Sequence, residues 1–193
     1  MKNIAIFASG NGSNFEVITK AVQQGEISAN IVLLVCDKPK AAVITRAKNL
    51  SIPVYVCDPK DYPNRAAHEN QILTVIKNVD FIVLAGYMRI IGEVLLSAYE
   101  GRIINIHPSL LPDFPGLNAI EAAFNAGVRQ TGVTIHYVDA GVDTGPIIIQ
   151  EEVTILPEDS LETLEARVHE VEHRLYVGVL KKLLRDGNSS HLY

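Results

Sequence analysis

Only two cysteines, Cys36 and Cys57, occur among 193 residues, too few for a disulfide framework. Both sit in apolar runs and read as buried thiols of a reducing compartment. Positive charge is also in deficit: 17 Lys and Arg stand against 22 Asp and Glu, a formal net charge of -5. Without a basic surplus there is little to hold a phosphate backbone, which argues against a nucleic-acid partner. Long apolar runs are missing too. Each is short and broken by Gly, Asp or Arg, so no membrane span is expected. The opening Met1-Lys2-Asn3-Ile4 enters a strand pattern at once, without the outline of a secretory signal. These absences leave an expected cytoplasmic globular chain, 48% hydrophobic and long enough to bury a core. It reads as a single domain over 1–193, with a polar, frayed tail at 186–193.

What is present is a regular exchange of strand and helix. Residues 4–8 form an apolar run, a buried strand that ends at Ser9-Gly10-Asn11-Gly12-Ser13-Asn14. From Asn14 the period becomes helical, with Phe15, Ile18, Ala21 and Val22 on one face. The same reasoning predicts strands over 30–36, 53–57, 80–85 and 103–106. It predicts helices over 41–49 and 65–77, the second with Ile72, Val75 and Ile76 inward. Strands that lack alternation are buried on both faces, as in a parallel sheet. The class is therefore α/β: a doubly wound, mostly parallel central sheet with a Rossmann-like N-terminal half. After Gly127 the texture changes to two strands, 132–138 and 146–155, joined by a turn. A last helix starts at an Asp159 cap, with Glu162 three residues on in a capping-box arrangement. Its apolar stripe runs through Leu161, Leu164, Val168, Val171, Leu175, Val179 and Leu183.

Four constellations could carry chemistry. Loop 9–14 joins a first strand to a helix, where backbone N–H groups and the helix N-terminus favour an anion. Gly10 and Gly12 match two glycines of the dinucleotide fingerprint, but Phe15 stands at the third and would block close helix–sheet packing. The Walker pattern fails as well, which leaves a monophosphate or carboxylate cradle. A tight turn capped by Ser13 or Asn14 explains the same residues. Second, Asn105-Ile106-His107-Pro108 places an amide and an imidazole on one side of a strand end, the edge where open α/β sheets bind ligands. Such a pair suits an oxyanion formed when a carbonyl is attacked. A His that merely caps a strand in a proline-rich turn is the plainer alternative. Third, the Gly-rich loop 139–146 carries Asp139 and Asp143, and a carboxylate held there near His107 would favour the charged ring. Alone, an Asp bonded to its own turn is the commoner role. Fourth, His169-Glu170-Val171-Glu172-His173 matches the zinc pattern H-E-x-x-H. Catalytic zinc needs a third protein ligand, and Leu175-Tyr176 occupies the stretch of the extended pattern, so a solvated helical face is preferred and no metal is expected.

Together these segments resemble the glycinamide ribonucleotide formyltransferases of purine biosynthesis. The likeness rests on Gly10-Asn11-Gly12-Ser13-Asn14, Leu84-Ala85-Gly86-Tyr87-Met88-Arg89-Ile90, Asn105-Ile106-His107-Pro108-Ser109-Leu110-Leu111-Pro112 and Asp143-Thr144-Gly145-Pro146-Ile147-Ile148. It implies the formyltransferase fold, with Asn105, His107 and Asp143 as the catalytic trio. It implies that Gly12, Ser13 and Asn14 hold the acceptor's ribose phosphate and that Glu172 contacts the glycinamide side. Arg65, Met88, Arg89, Ile90, Ile91 and Asn105, with Asp139, Ala140, Gly141, Val142 and Asp143, would bind 10-formyltetrahydrofolate as co-substrate. The chain departs from the family pattern at Asn118, where a His is frequent, at Ala140, usually acidic, and at Thr144, commonly Gly.

The implied partners are small molecules, and the expected assembly is a monomer or weak homodimer. Rival readings are a formyl-folate hydrolase using the same trio with water, a transfer-RNA formyltransferase, and a non-catalytic nucleotide-binding module. The first two are expected to carry a regulatory or a basic extra domain that the chain does not show, and the module leaves Asn105, His107 and Asp143 unexplained. Because Phe15 replaces the third fingerprint glycine, calorimetric titration with NAD should register no tight uptake; micromolar binding would contradict this reading of loop 9–14.

Overall fold

The computed structural model describes residues 1–185; the tail expected to fray lies outside them. A seven-stranded sheet organises the chain. In chain order the elements are β1 (Lys2–Ala8), α1 (Ser13–Gln23), β2 (Ala29–Cys36), α2 (Ala42–Asn49), β3 (Val54–Val56), α3 (Arg65–Val75), β4 (Phe81–Leu84), α4 (Glu93–Ala98), β5 (Ile103–His107), α5 (Ala119–Asn125), β6 (Gln130–Tyr137), β7 (Ile147–Thr154) and α6 (Leu161–Leu183). The strand order is β3-β2-β1-β4-β5-β6-β7. The first five strands run parallel, and β6 and β7 return antiparallel. The chain reverses direction along the sheet between β1 and β4, so their outgoing loops flank the crevice where such sheets bind ligands.

Period-two geometry divides each central strand between two cores. In β1, Ile4, Ile6 and Ala8 join one cluster with Phe15 and Ile18 of α1, Val43 of α2 and the buried stripe of α6. Ala5 and Phe7 join the other with Ile72 of α3 and Leu95 of α4. The strands are apolar throughout because both faces are covered. One extra residue of β2 interrupts the register between Ile4 and Ala5, which lets Ile31 and Leu34 share a face although three residues apart.

Predicted strands and helices end within a residue or two of those observed, with two corrections. Ser160, not Asp159, caps α6: its Oγ accepts from the Thr163 N–H (3.2 Å) and the Thr163 hydroxyl accepts from the Ser160 N–H (3.0 Å). Glu162 is only an acidic first-turn residue. The Arg167 guanidinium draws the Asp159 carboxylate away, at 2.6 and 3.0 Å, and with the Leu156 N–H holds its carboxyl well below the usual range. The second correction is at α1, where Gly12 is the N-cap and no side chain caps the helix. The left-handed φ of 81° at Gly12, and the Val43 side chain that any Cβ there would strike, require glycine.

Helix α6 is pinned to the sheet at Tyr176. Its ring is fully buried, and its hydroxyl donates to the Leu84 carbonyl at 2.7 Å. Tyr176→Phe should therefore destabilise the fold by about 1–2 kcal/mol, read by urea unfolding; an unchanged midpoint would show that the bond does not anchor the helix.

Candidate active site

Strand β5 ends on His107, and Asn105 lies two residues earlier, on the side bearing Ile103 rather than on the α6 side with Ile104 and Ile106. Across the antiparallel pair, Asn105 faces His136 of β6. The Asn105 amide nitrogen is 3.4 Å from His136 Nε2, while the His136 Nδ1–H donates to the Tyr137 carbonyl at 2.8 Å. That bond leaves Nε2 of a neutral ring as the acceptor facing Asn105. The loop after β6 folds back over the same face and brings in Asp143. One carboxylate oxygen lies 3.5 Å from His107 Nδ1, the other 3.7 Å from His136 Nε2. The Gly116 N–H donates to Oδ2 at 2.8 Å. His107 Nε2 donates to the Phe114 carbonyl at 2.8 Å, so both ring nitrogens face acceptors.

The sequence motif Asp-x-Gly-Pro has a steric basis here. A Cβ at Gly145 would overlap the Tyr137 carbonyl oxygen, so only glycine lets the loop turn back against β6. Asp139 braces the same loop. Its Oδ1 accepts from the Thr144 hydroxyl (2.6 Å) and the Gly141 N–H (3.0 Å), which lower its carboxyl in that order of importance. Thr144, where resemblance leads one to expect glycine, is thus part of the loop's closure. Ala140 and Val142 project from it exposed. Asn118 takes a left-handed φ of 57° at the start of α5 and its side chain caps nothing.

At the switch point, Ser13 and Asn14 turn to α6 instead of capping α1. The Asn14 amide donates to Glu172 Oε2 (3.3 Å), and Ser13 Oγ is 3.2 Å from His173 Nε2. His169 Nδ1 donates to Glu172 Oε1 at 2.7 Å, and that bond raises the His169 pKa. Burial lowers that of His173. The zinc-like pair is therefore divided, one ring on Glu172 and the other on Ser13. Among the described residues no group of His, Cys, Asp and Glu is arranged to hold a metal.

The second loop at the switch point, 85–92, is tied down along its length. The Ser9 N–H donates to the Gly86 carbonyl (3.1 Å) and the Met88 N–H to Ser9 Oγ (2.8 Å). Arg89 pairs with Asp37, and Glu69 accepts from the Gly92 and Leu95 N–H groups (2.7 and 3.2 Å). Met88 and Ile90 are exposed; the Ile91 side chain lies in the core beside α4. Arg65 starts α3, and a Cβ at Gly92 would meet its side chain at 2.6 Å, so it borders this loop. Cys36 and Cys57 are buried, and burial pushes both thiols up, away from nucleophilic use.

The formyl transferase family model matches residues 2–180. The chain belongs to the formyl transferase family. It is 54% identical, over 97% of both chains, to the phosphoribosylglycinamide formyltransferase of Bacillus subtilis (strain 168). The crystal structure of phosphoribosylglycinamide formyltransferase from Bacillus halodurans superposes with a TM-score of 0.95 at 54% identity, covering 100% of both chains. That of glycinamide ribonucleotide transformylase 1 from Geobacillus kaustophilus gives 0.93 at 56% identity, over 96% of this chain and 100% of that one. The sheet order, with its antiparallel return, is therefore the formyltransferase fold.

Within that family framework, Asn105, His107 and Asp143 stand together, while Gly12, Ser13, Asn14 and Glu172 form a second group with α6. Sequence reasoning missed two members of the first group. His136 enters only through the β5–β6 register, 31 residues from Asn105, and the Phe114 carbonyl carries no side-chain signal. For His169 the expected pH dependence has a definite sign. A folded-state pKa raised above the ordinary 6.5 gives stability that is complete below that value and fades as pH rises through the folded value. The melting temperature of wild type should thus exceed that of His169→Gln at acid pH, with the gap closing at alkaline pH; a gap independent of pH would contradict the Glu172 pairing.

Proposed function

We propose that this chain transfers the formyl group of 10-formyltetrahydrofolate to the amine of phosphoribosylglycinamide, as the names of its relatives suggest. The observation that carries this reading is the meeting of Asn105, His107 and Asp143 on one sheet face, an amide, an imidazole and a carboxylate drawn from two separate stretches of chain. The uncapped start of α1, with Gly12, Ser13 and Asn14 beside Glu172, supports an anchor for the acceptor's phosphate and ribose. The braced 85–92 loop, Arg65 and the 139–143 loop would take the folate. Their exposed Met88, Ile90 and Val142 offer apolar surface for a flat ring, and their backbone offers polar partners.

In this mechanism the acceptor amine attacks the formyl carbon. A C–N bond forms and the carbonyl pair moves onto oxygen. The Asn105 amide has two N–H donors, one directed at His136 and one free for the oxyanion. His107 supplies the second donor, which the Phe114 carbonyl holds in this structure and which the developing charge would share. One such donor is typically worth about 3–4 kcal/mol of barrier. Asp143, 3.5 Å from Nδ1, orients the ring. Collapse of the intermediate breaks the bond to the folate nitrogen. The proton lost by the amine reaches that nitrogen through water ordered by the His107–Asp143 pair, giving the formylated amide and tetrahydrofolate. Phosphate binding at a distance holds the amine in line and lowers the entropic part of the barrier.

The test is a spectrophotometric assay of tetrahydrofolate release with and without phosphoribosylglycinamide. Release should require the acceptor, and His107→Ala should lower turnover on the order of 10³-fold with the fold retained. Release at the same rate without acceptor would make the chain a hydrolase, and near-wild-type turnover of His107→Ala would remove the trio from the mechanism.

A further inference from the structure

Asp37 follows the last residue of β2, on the far side of β1 from β4, yet it is bonded to the loop that leaves β4. Its residue is 1% exposed. Oδ2 accepts from the Arg89 Nε–H at 3.0 Å, while Oδ1 is buried and has no hydrogen-bond partner among the described residues. A carboxylate held out of water and half satisfied is a weak source of stability, because its desolvation offsets the attraction to its partner. What such a pair does supply is position. The ends of the loop are already secured, by Ser9 at Gly86 and Met88 and by Glu69 at Gly92. Arg89 lies between those anchors, with exposed Met88 and Ile90 on either side. Its side chain remains 45% exposed, so core packing does not hold it; the bond to Asp37 does.

We propose that Asp37 is a positioning residue for the formyl donor: by fixing Arg89 it sets the backbone and the apolar side chains of residues 88–91 that receive the folate. This rests on the folate reading of that loop given above. Among the described residues no hydrogen bond or ion pair joins Asp37 or Arg89 to residues 12–14 or to Asn105, His107 and Asp143, so the pair acts on the donor and leaves acceptor binding and the chemical step alone. Asp37 also stands at the end of β2, where dinucleotide folds keep an acidic side chain for a ribose; here that acid is engaged by Arg89.

The experiment is steady-state kinetics on the full chain with each substrate varied. Asp37→Asn keeps the shape and removes the charge. It should raise the KM for 10-formyltetrahydrofolate about tenfold, the size of a lost charge-assisted hydrogen bond, with kcat and the acceptor KM within about twofold of wild type. Arg89→Gln should also raise the donor KM, and combining it with Asp37→Asn should add no further loss; Asp37→Glu, which moves the charge by one methylene, should give a smaller rise and carries the test if Asp37→Asn fails to fold. Arg89→Lys, which keeps the charge, should recover part of the donor affinity. Hydrogen exchange should show faster amides at 88–91 in Asp37→Asn and unchanged ones in 12–16. An active wild type with an unchanged donor KM in folded Asp37→Asn, or in Asp37→Glu where Asp37→Asn does not fold, or a loss falling equally on both substrates, would overturn this proposal alone. A wild type that transfers no formyl group would overturn the functional reading, and the proposal with it.

Discussion

The carboxylate of Asp143 is what one face of the β5–β6 pair is arranged around. Its side chain is 12% exposed, so water satisfies little of it and the protein must supply partners. Its partners are the His107 ring at the end of β5 and the Gly116 amide in the loop after β5, while the His136 ring of β6 lies 3.7 Å from its other oxygen. Reaching them places Asp143 at a φ of 55°, a left-handed conformation that costs roughly 1–2 kcal/mol in a residue with a Cβ. Gly145, two residues on, has to be glycine for the same turn. Strain and close packing in this loop thus have one effect, delivery of a negative charge to two imidazoles.

The antiparallel return of β6 is the topological counterpart. In a purely parallel sheet the neighbour of β5 would be joined by a crossover helix, and its loops would leave from the opposite edge. Here β6 runs back along β5, so His136 lies opposite Asn105 and the following loop folds over both. Helix α6 links this region to the switch point. Tyr176 ties the helix to the carbonyls of β4 and β5, and one turn earlier Glu172 and His173 reach Asn14 and Ser13. The first loop thereby takes its geometry from the sheet through a rigid rod, which is what exact placement of a distant anion requires.

Much of the fold was legible because its signals are periodic. The unbroken apolar runs at Ile4–Ile6 and Ile103–Ile104 mark strands buried on both faces, and the two cores divide those residues by parity. The helices that escaped notice, α4 and α5, are 6 and 7 residues long and lack local start signals. The first is capped from α3 by Glu69, and the second begins at a left-handed Asn118. At Asp159 a plausible local cap lost to Arg167, eight residues away, and Ser160 took its place. The site divides in the same way. Asn105 and His107 carried residue-type and spacing signals, and only the family resemblance singled out Asp143 in its loop. His136, the Phe114 carbonyl and the Asp37–Arg89 pair depend on register and on contacts of 7 to 52 residues' separation, which no local pattern encodes.

The central claim is that His107 and Asp143 work as one unit on the transferring formyl group. A double-mutant cycle on turnover addresses it directly, with His107→Asn, Asp143→Asn and the two combined, each checked for folding. If the carboxylate acts only through the ring, the combined variant should lose about as much as the worse single variant, on the order of 10³-fold. Losses that multiply, toward about 10⁶-fold, would show two independent contributions and contradict the account.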